Sequence, residues 1–425
     1  MKRAYGTIIL LSAMLLVCAL FSCSSAKVIE ERRISHPRTP TAWLDVQGIP
    51  SYDSSDPLLY HTGVSWNQRS LQLIEEAEEY IIISIFLGNL YEVSTEVWDA
   101  LIAKMHQGVR VYCLVDSSSY FQTIPQSPIV IPAAFNYLRD AGIDVVEYNP
   151  FSLNQLAFIP TLLDRDHRKY WIIDGEHIVL GGINVNYASL AFPPETGNID
   201  TMVEFASPGA ITQMIDSFVA TWNRYSPTRL DARSFGVPPL GEATTTVWMI
   251  DHQWPSRSET TTLFDAITLT SQEELWMVQG YTYLTAALKE RIANAVRQGV
   301  KVNVMLSENA GKNNYQNAAY YSALDLIDAG ATVYMYDDPD KAFLHLKLIV
   351  ADDKYTVFGS PNYNLRSQTL SRELAAIFAE EAVAAKAKAH IDDLLLHCRV
   401  VSREEAQRWR TVTNYLYHLL MQVYG

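Results

Sequence analysis

Cysteine is scarce in this chain, with four residues in 425: Cys18, Cys23, Cys113 and Cys398. Two of them fall within the first 23 positions, so the rest cannot assemble a disulfide framework. Neither paired cysteines nor a His-x3-His spacing occurs, which removes the usual zinc sites. Cations are also in short supply: 33 Lys and Arg stand against 47 Asp and Glu, for a formal net charge of −14. The sequence-independent part of nucleic-acid binding comes from Lys and Arg neutralising phosphates. Without a basic arm or stripe, the composition argues against nucleic acid as a partner. The apolar run from Ile8 to Phe21 has 14 residues, short of the ~20 that span a bilayer as a helix.

That run has another reading. Lys2 and Arg3 precede it, and Leu20-Phe21-Ser22-Cys23 follows, then Ser24 and Ser25. This is the anatomy of an export signal, and the site resembles a bacterial lipobox, whose cysteine becomes a lipidated N-terminus. Residues 1–22 are therefore expected to be a signal peptide and Cys23 the lipidation site. An ordinary cleaved signal or an uncleaved anchor are the alternatives. The stretch 23–50, rich in Pro, Ser, Thr and charge, reads as a tether. The expected location is the bacterial cell envelope, as a lipoprotein anchored to a membrane and facing the periplasm.

The remaining chain repeats itself. Ala100 to Asp116 and Arg291 to Leu306 each read as a helix stopped by glycine (Gly108, Gly299) and followed by a strand. Tyr137–Tyr148 and Leu326–Tyr336 repeat the pattern around Gly142 and Gly330. These units predict an α/β fold of two pseudo-symmetric halves, 51–235 and 236–425, each a mixed sheet flanked by helices. The stretch from Ser226 to Ala243 is the natural linker.

The most specific signal also occurs twice. His167, Lys169 and Asp174 are followed by Gly181, Gly182 and Asn184; His345, Lys347 and Asp352 by Gly359, Ser360 and Asn362. Both copies read H-x-K-x4-D-x6-G-(G/S)-x-N, and two copies at matching places in a repeat are far more specific than one. Each His-x-Lys opens an apolar stretch that reads as a strand, where residues two apart share a face. His167 and Lys169 then point together, as do His345 and Lys347, while Asp174 and Asp352 turn away. Although the aspartates belong to the catalytic signature, parity makes them organisers of a hairpin turn. The Gly181-Gly182 and Gly359-Ser360 pairs allow close backbone approach, with amide or hydroxyl donors for phosphate oxygens.

These residues resemble the phospholipase D superfamily over nearly the whole chain beyond the tether, and bacterial cardiolipin synthases in particular. Gly359 to Ser367 is similar to the family's Gly-Ser-Ala-Asn-Leu-Asp-x-Arg-Ser segment, with Pro361 and Asn364 as departures. Glu373 falls where that family has a glutamate, and Asn198 to Gly209, containing Asp200, looks like its Trp-Arg-Asp-Thr segment. The resemblance implies one active site at the interface of two phospholipase D-like halves, needing no cofactor and no metal. It implies a phosphohistidine intermediate, with His167 as nucleophile and His345 as proton donor. Lys169, Lys347, Asn184, Ser360 and Asn362 would hold phosphate oxygens; Asp200 and Glu373 would each fix a histidine tautomer. The substrate would be a phospholipid such as phosphatidylglycerol, handled at a membrane surface by a phosphatidyltransferase of the cardiolipin synthase type or a phospholipase D. The alternative is a periplasmic phosphodiesterase or nuclease of the same superfamily.

Two lesser features remain. Ser402-Arg-Glu-Glu405 opens a C-terminal helix as a capping box, its apolar face resting either on a bilayer or on the protein's own body. Tyr281, Tyr283, Tyr320 and Tyr321 either line a pocket or fill core. The N-terminal reading makes a first prediction: Cys23→Ser leaves the catalytic body active on detergent-dispersed lipid but releases it from membranes. Mass spectrometry of the unsubstituted protein checks it; an N-terminus carrying no lipid contradicts it.

Overall fold

Runs of residues buried at every position, such as Tyr80–Ile85 and Lys347–Ala351, form the centres of two sheets. A computed structural model of the chain describes residues 37–122, 130–157, 159–192, 195, 197–253, 255–309 and 313–424. The expected signal peptide, Cys23 and the first part of the tether lie outside the described residues. Strand β1 is Ser51–Ser54, followed by β2 (Leu58–Thr62), β3 (Tyr80–Ile85), β4 (Arg110–Asp116) and β5 (Asp144–Tyr148). Then come the short β6 (Arg165–Asp166), β7 (Tyr170–Ile173), β8 (His177–Gly181) and β9 (Ile199–Phe205). The second half holds β10 (Thr245–His252), β11 (Glu274–Gln279), β12 (Lys301–Ser307), β13 (Thr332–Tyr336), β14 (Lys347–Ala351), β15 (Tyr355–Gly359), β16 (Ser371–Phe378) and β17 (Cys398–Val400).

The first sheet runs β2-β9-β8-β7-β3-β4-β5 and the second β1-β10-β16-β15-β14-β11-β12-β13-β17. In each, three parallel strands (β3-β4-β5, β11-β12-β13) continue into an antiparallel hairpin and its neighbour (β7-β8-β9, β14-β15-β16). This is the predicted repeat. Gly108 and Gly299, at the ends of their helices, adopt φ of 100° and 95°, a conformation that a side chain would strain.

Alternation along β3 sorts the core into layers. Ile81, Ile83 and Ile85 pack outward with Trp66, Trp98 and Leu101 of the flanking helices Gly63–Glu76 and Glu92–His106. Tyr80 and Ile82 face inward, in a core shared by the halves: Phe205 and Phe218 of the first meet Leu348 and Phe378 of the second. Each fully buried side chain of this kind contributes about 1.5–3 kcal/mol. Among the described residues, no helix is long and apolar enough to cross a membrane.

Two expectations need correction. The second part of the supposed tether is folded: Thr39 caps the helix Pro40–Val46 by accepting the Ala42 N–H, and Trp43 and Leu44 are buried in the core of the second half. Composition alone suggested a linker, but Thr-Pro is also a helix start. The boundary at residue 51 is likewise crossed, because β1 pairs antiparallel with β10 of the second half. At the other end, Ser402 caps a short helix, Arg403–Arg408, separate from Val412–Tyr424. The latter packs on the body through Met421, against Tyr283, Ala318 and Ala319.

The motif aspartates sit in the hairpin turns, as parity required. Asp174 and Gly175 have φ of 52° and 68°, Asp352 and Asp353 54° and 50°, the conformation of a tight two-residue hairpin turn. Asp174 accepts the N–H groups of Glu78, Glu79 and Tyr80 at 2.7, 2.9 and 2.7 Å, pinning the turn to the start of β3. Asp352 accepts those of Gln272, Glu273 and Glu274 at the start of β11. Asp174→Asn should thus lower stability by about 2 kcal/mol, the scale of a charged acceptor serving backbone donors, and leave the chemistry of the folded fraction intact. Chemical denaturation alongside activity per folded molecule tests this; a stable, inactive variant contradicts it.

Candidate active site

The first half's chain at Arg165–Asp166 forms a parallel rung on β16 of the second half, and His167 N–H bonds to Arg372 O at 3.0 Å. The next residue along β16 is Glu373, whose carboxylate meets His167 Nδ1 at 3.0 Å. The second half does the same in return. Ile199 N–H bonds to Phe343 O and His345 N–H to Ile199 O, both at 2.9 Å. The next residue along β9, Asp200, meets His345 Nδ1 at 2.7 Å. Each histidine is thus strung on the opposite half's strand and oriented by that half's carboxylate, which engages Nδ1 and leaves Nε2 as the other ring nitrogen.

Lys169 and Lys347 share the site, each ammonium donating to the main-chain oxygen of its own histidine, Lys169 at 2.5 Å. Lys347 also lies 3.8 Å from Asp200. Burial pushes His167 down to about 4, with Glu373 opposing and both lysines adding to the effect. Burial and Lys347 push His345 down to about 3, against Asp200. The same burial lowers Lys169 to about 7 and Lys347 to about 8. Burial works to raise Glu373, but His167, Lys169 and Ser360 more than offset it and hold the carboxyl at about 2. Burial thus disfavours the protonated form of both imidazoles, and each carboxylate works against that. Since each histidine feels the lysine of the other half, the four groups act on one space.

The remaining expected residues divide. Asn184 Oδ1 accepts the Leu87 N–H at 3.0 Å, so its NH2 is the end able to donate to an anion. Asn362 is buried with Oδ1 unpartnered. Ser360 departs from its expected role as a phosphate ligand. Fully buried, it donates to Glu373 and accepts the Leu374 N–H, and Ser367 supports the same carboxylate at 2.7 Å. The equivalent position in the first half is Gly182, where a Cβ would lie 2.1–2.5 Å from the Asp200 carboxylate. Only glycine fits there. Asp174 and Asp352, grouped with the catalytic set by the motif, lie at the far ends of the strands and take no part.

Phe86, Phe343 and Arg168 escaped the sequence reading. Phe86 meets the His167 ring edge-on at 5.0 Å, and Tyr281 and Phe343 meet His345 at 5.4 and 5.2 Å. Of the four tyrosines noted, Tyr281 thus lies at the site and Tyr283 in the core, while Tyr320 stacks on Trp409 and Tyr321 lies beside Tyr415 and His418. Behind the strand, fully buried Arg168 bonds to Asp166 and to Asp251 of the second half at 2.7 and 2.9 Å. Nothing in the sequence set it apart, since it lies within the charged run Asp164 to Lys169; a buried arginine nonetheless requires partners.

Two histidine–lysine pairs, each histidine backed by a carboxylate and all four groups in one site, define an enzyme of the phospholipase D superfamily. The family model described as "Cardiolipin synthase, PLD-like domain" matches residues 70–222 and 263–395, and the chain belongs to that family. It is 28% identical over 350 residues to the major cardiolipin synthase of Bacillus subtilis, covering 80% of this chain and 68% of that protein. Identity to the minor cardiolipin synthase of the same organism is 23% over 359 residues, covering 84% and 85%. Two further cardiolipin synthase relatives are matched over 62% of their length. Among solved structures, a phosphatidylserine synthase from Haemophilus influenzae Rd KW20 shares the fold, with TM-score 0.70 and 13% identity over 90% of this chain and 96% of that one.

The buried lysines make a pH prediction. Below about pH 7 both are charged; as pH rises through about 7 and 8 they lose their protons in turn, and attraction for an anionic phosphodiester declines. kcat/KM, which reports the free enzyme, should fall across that interval. A profile flat from pH 6 to 9 contradicts it.

Proposed function

We propose that the chain is a phosphatidyltransferase of the cardiolipin synthase type, working through a phosphohistidine. The observation that carries the reading is the reciprocal arrangement at the site, in which each histidine is held by the other half's carboxylate beside two buried lysines. His167 attacks phosphorus through Nε2, forming a P–N bond as the bond to the departing alcohol breaks. His345 gives that alcohol its proton, then removes one from the incoming hydroxyl, whose oxygen displaces His167. A phosphodiester anion beside His345 favours its protonated form, so it gains a proton as substrate binds. Lys169, Lys347 and the NH2 of Asn184 stabilise the charge that builds on the phosphoryl oxygens. Phe86, Tyr281 and Phe343 crowd the two rings, restricting water and favouring a lipid hydroxyl as acceptor.

In this reading the substrate is phosphatidylglycerol, the products are cardiolipin and glycerol, and the enzyme works at a membrane of the bacterial envelope, held by lipid on Cys23. Incubating the full-length protein with labelled phosphatidylglycerol, with and without glycerol, tests the reaction. Cardiolipin as product, decreasing as glycerol is added, supports transfer. Phosphatidic acid alone identifies a hydrolase, and cleavage of DNA but not lipid favours a nuclease. His167→Ala and His345→Ala should each reduce turnover by about four orders of magnitude, with the double variant little worse, because the two act as a unit.

A further inference from the structure

Charged residues make up 19% of the chain, yet the runs 117–138, 149–163 and 178–194 contain no Asp, Glu, Lys or Arg. The described residues of these runs, 117–122, 130–138, 149–157, 159–163 and 178–192, are far apart in sequence but converge in the fold. The first follows β4, the second follows β5, and the third spans β8 and the loop beyond it. The end of β8 pairs with the start of β7, Leu180 opposite Tyr170, at the strand ends next to His167 and Lys169.

Side-chain bonds stitch the loops together. Gln122 Oε1 accepts from Asn89 Nδ2 at 3.3 Å and from Asn186 Nδ2 at 2.9 Å. Phe121 meets Phe151 edge-on at 4.9 Å, and the Arg165 guanidinium lies 4.3 Å from the Phe151 ring, two residues before His167. With these amides bonded to one another, what the rim turns to solvent is largely apolar: Leu153 is 85% exposed, Phe121 66% and Val130 58%, with Phe151 and Phe192 also exposed.

We infer that this uncharged rim is the surface on which the enzyme sits against a phospholipid bilayer, with Phe121 and Leu153 entering the interfacial region. The inference rests on the phospholipid reading of the site. A lipid phosphate has to reach His167 while its acyl chains stay in the membrane, so the face bordering the cleft must lie against the interface. The exposed side chains of these loops are uncharged, with Glu147 at their border bonded to Tyr120 and Ser117, so little ion hydration is lost on entering that region, and exposed apolar patches on a protein surface mark such contacts.

The experiment uses the full chain with Phe121→Asp and Leu153→Asp, and Leu58→Asp as control. Leu58 is also exposed, but it starts β2 opposite Glu204, at the far end of the sheet from the cleft. Turnover is measured on monomeric dihexanoyl-phosphatidylglycerol and on phosphatidylcholine–phosphatidylglycerol vesicles. Both rim variants should keep their rate on the monomeric lipid within twofold and lose about tenfold or more on vesicles, while Leu58→Asp changes neither. Unchanged vesicle turnover in both rim variants overturns the inference.

Hydrogen exchange of the unsubstituted chain gives a readout independent of catalysis. Adding vesicles should slow exchange in 117–122 and 149–157 but not in 58–62. Protection there without turnover of any phospholipid refutes the proposed reaction and leaves the docking surface standing. Turnover without protection does the reverse. Rim substitutions that change the oligomeric state and not vesicle turnover make this a protein–protein face, which also overturns the inference.

Discussion

The bond between each histidine and the carboxylate of the other half is the contact on which this structure depends. It requires Arg165–Asp166 to add to β16 and Phe343–His345 to add to β9, and both additions require the two sheets to face each other across a common apolar core. A buried carboxylate without its imidazole and lysine would be left as an uncompensated charge, which is strongly destabilising. The fold and the site therefore depend on the same contacts.

The repeat is only approximate, and its departures fall at the site. Gly182 stands opposite Ser360, Asp200 opposite Glu373, and Arg168 opposite Leu346, which belongs to the shared core. The longer carboxylate is held by two hydroxyls, Ser360 and Ser367, whereas the shorter one occupies the space that Gly182 leaves open. Arg168 ties the first half's strand to Asp251, while its counterpart contributes only apolar contact. Two nearly identical motifs thus place their histidines in different surroundings, in keeping with the proposed division into one nucleophile and one proton donor.

Much of this was legible because it is local. Helix–glycine–strand units, the two-residue spacing of His and Lys, and the turn position of the aspartates follow from backbone periodicity alone. What was hidden was long-range. The resemblance implied that Asp200 and Glu373 each hold a histidine, but not which, since the partners lie 145 and 206 residues away. Ser360 looked like a phosphate donor because its neighbour Glu373 is 13 positions on and becomes adjacent only through the β15–β16 pairing. The helix at Pro40 was hidden by composition, although Thr39 and Pro40 are a proper helix start and Trp43 a residue that seeks a core.

The exchange of partners also makes catalysis a late event in the life of each molecule. As the chain is made, His167 exists long before Glu373, and no fragment ending short of residue 373 holds an oriented His167. His345 has its carboxylate earlier in the chain but meets it only when the second sheet docks on the first. A chain ending before residue 373 therefore lacks the carboxylate that orients His167. For a catalyst whose proposed substrate is the membrane beside it, that arrangement confines phosphodiester cleavage to finished molecules, without a propeptide or inhibitor to enforce it.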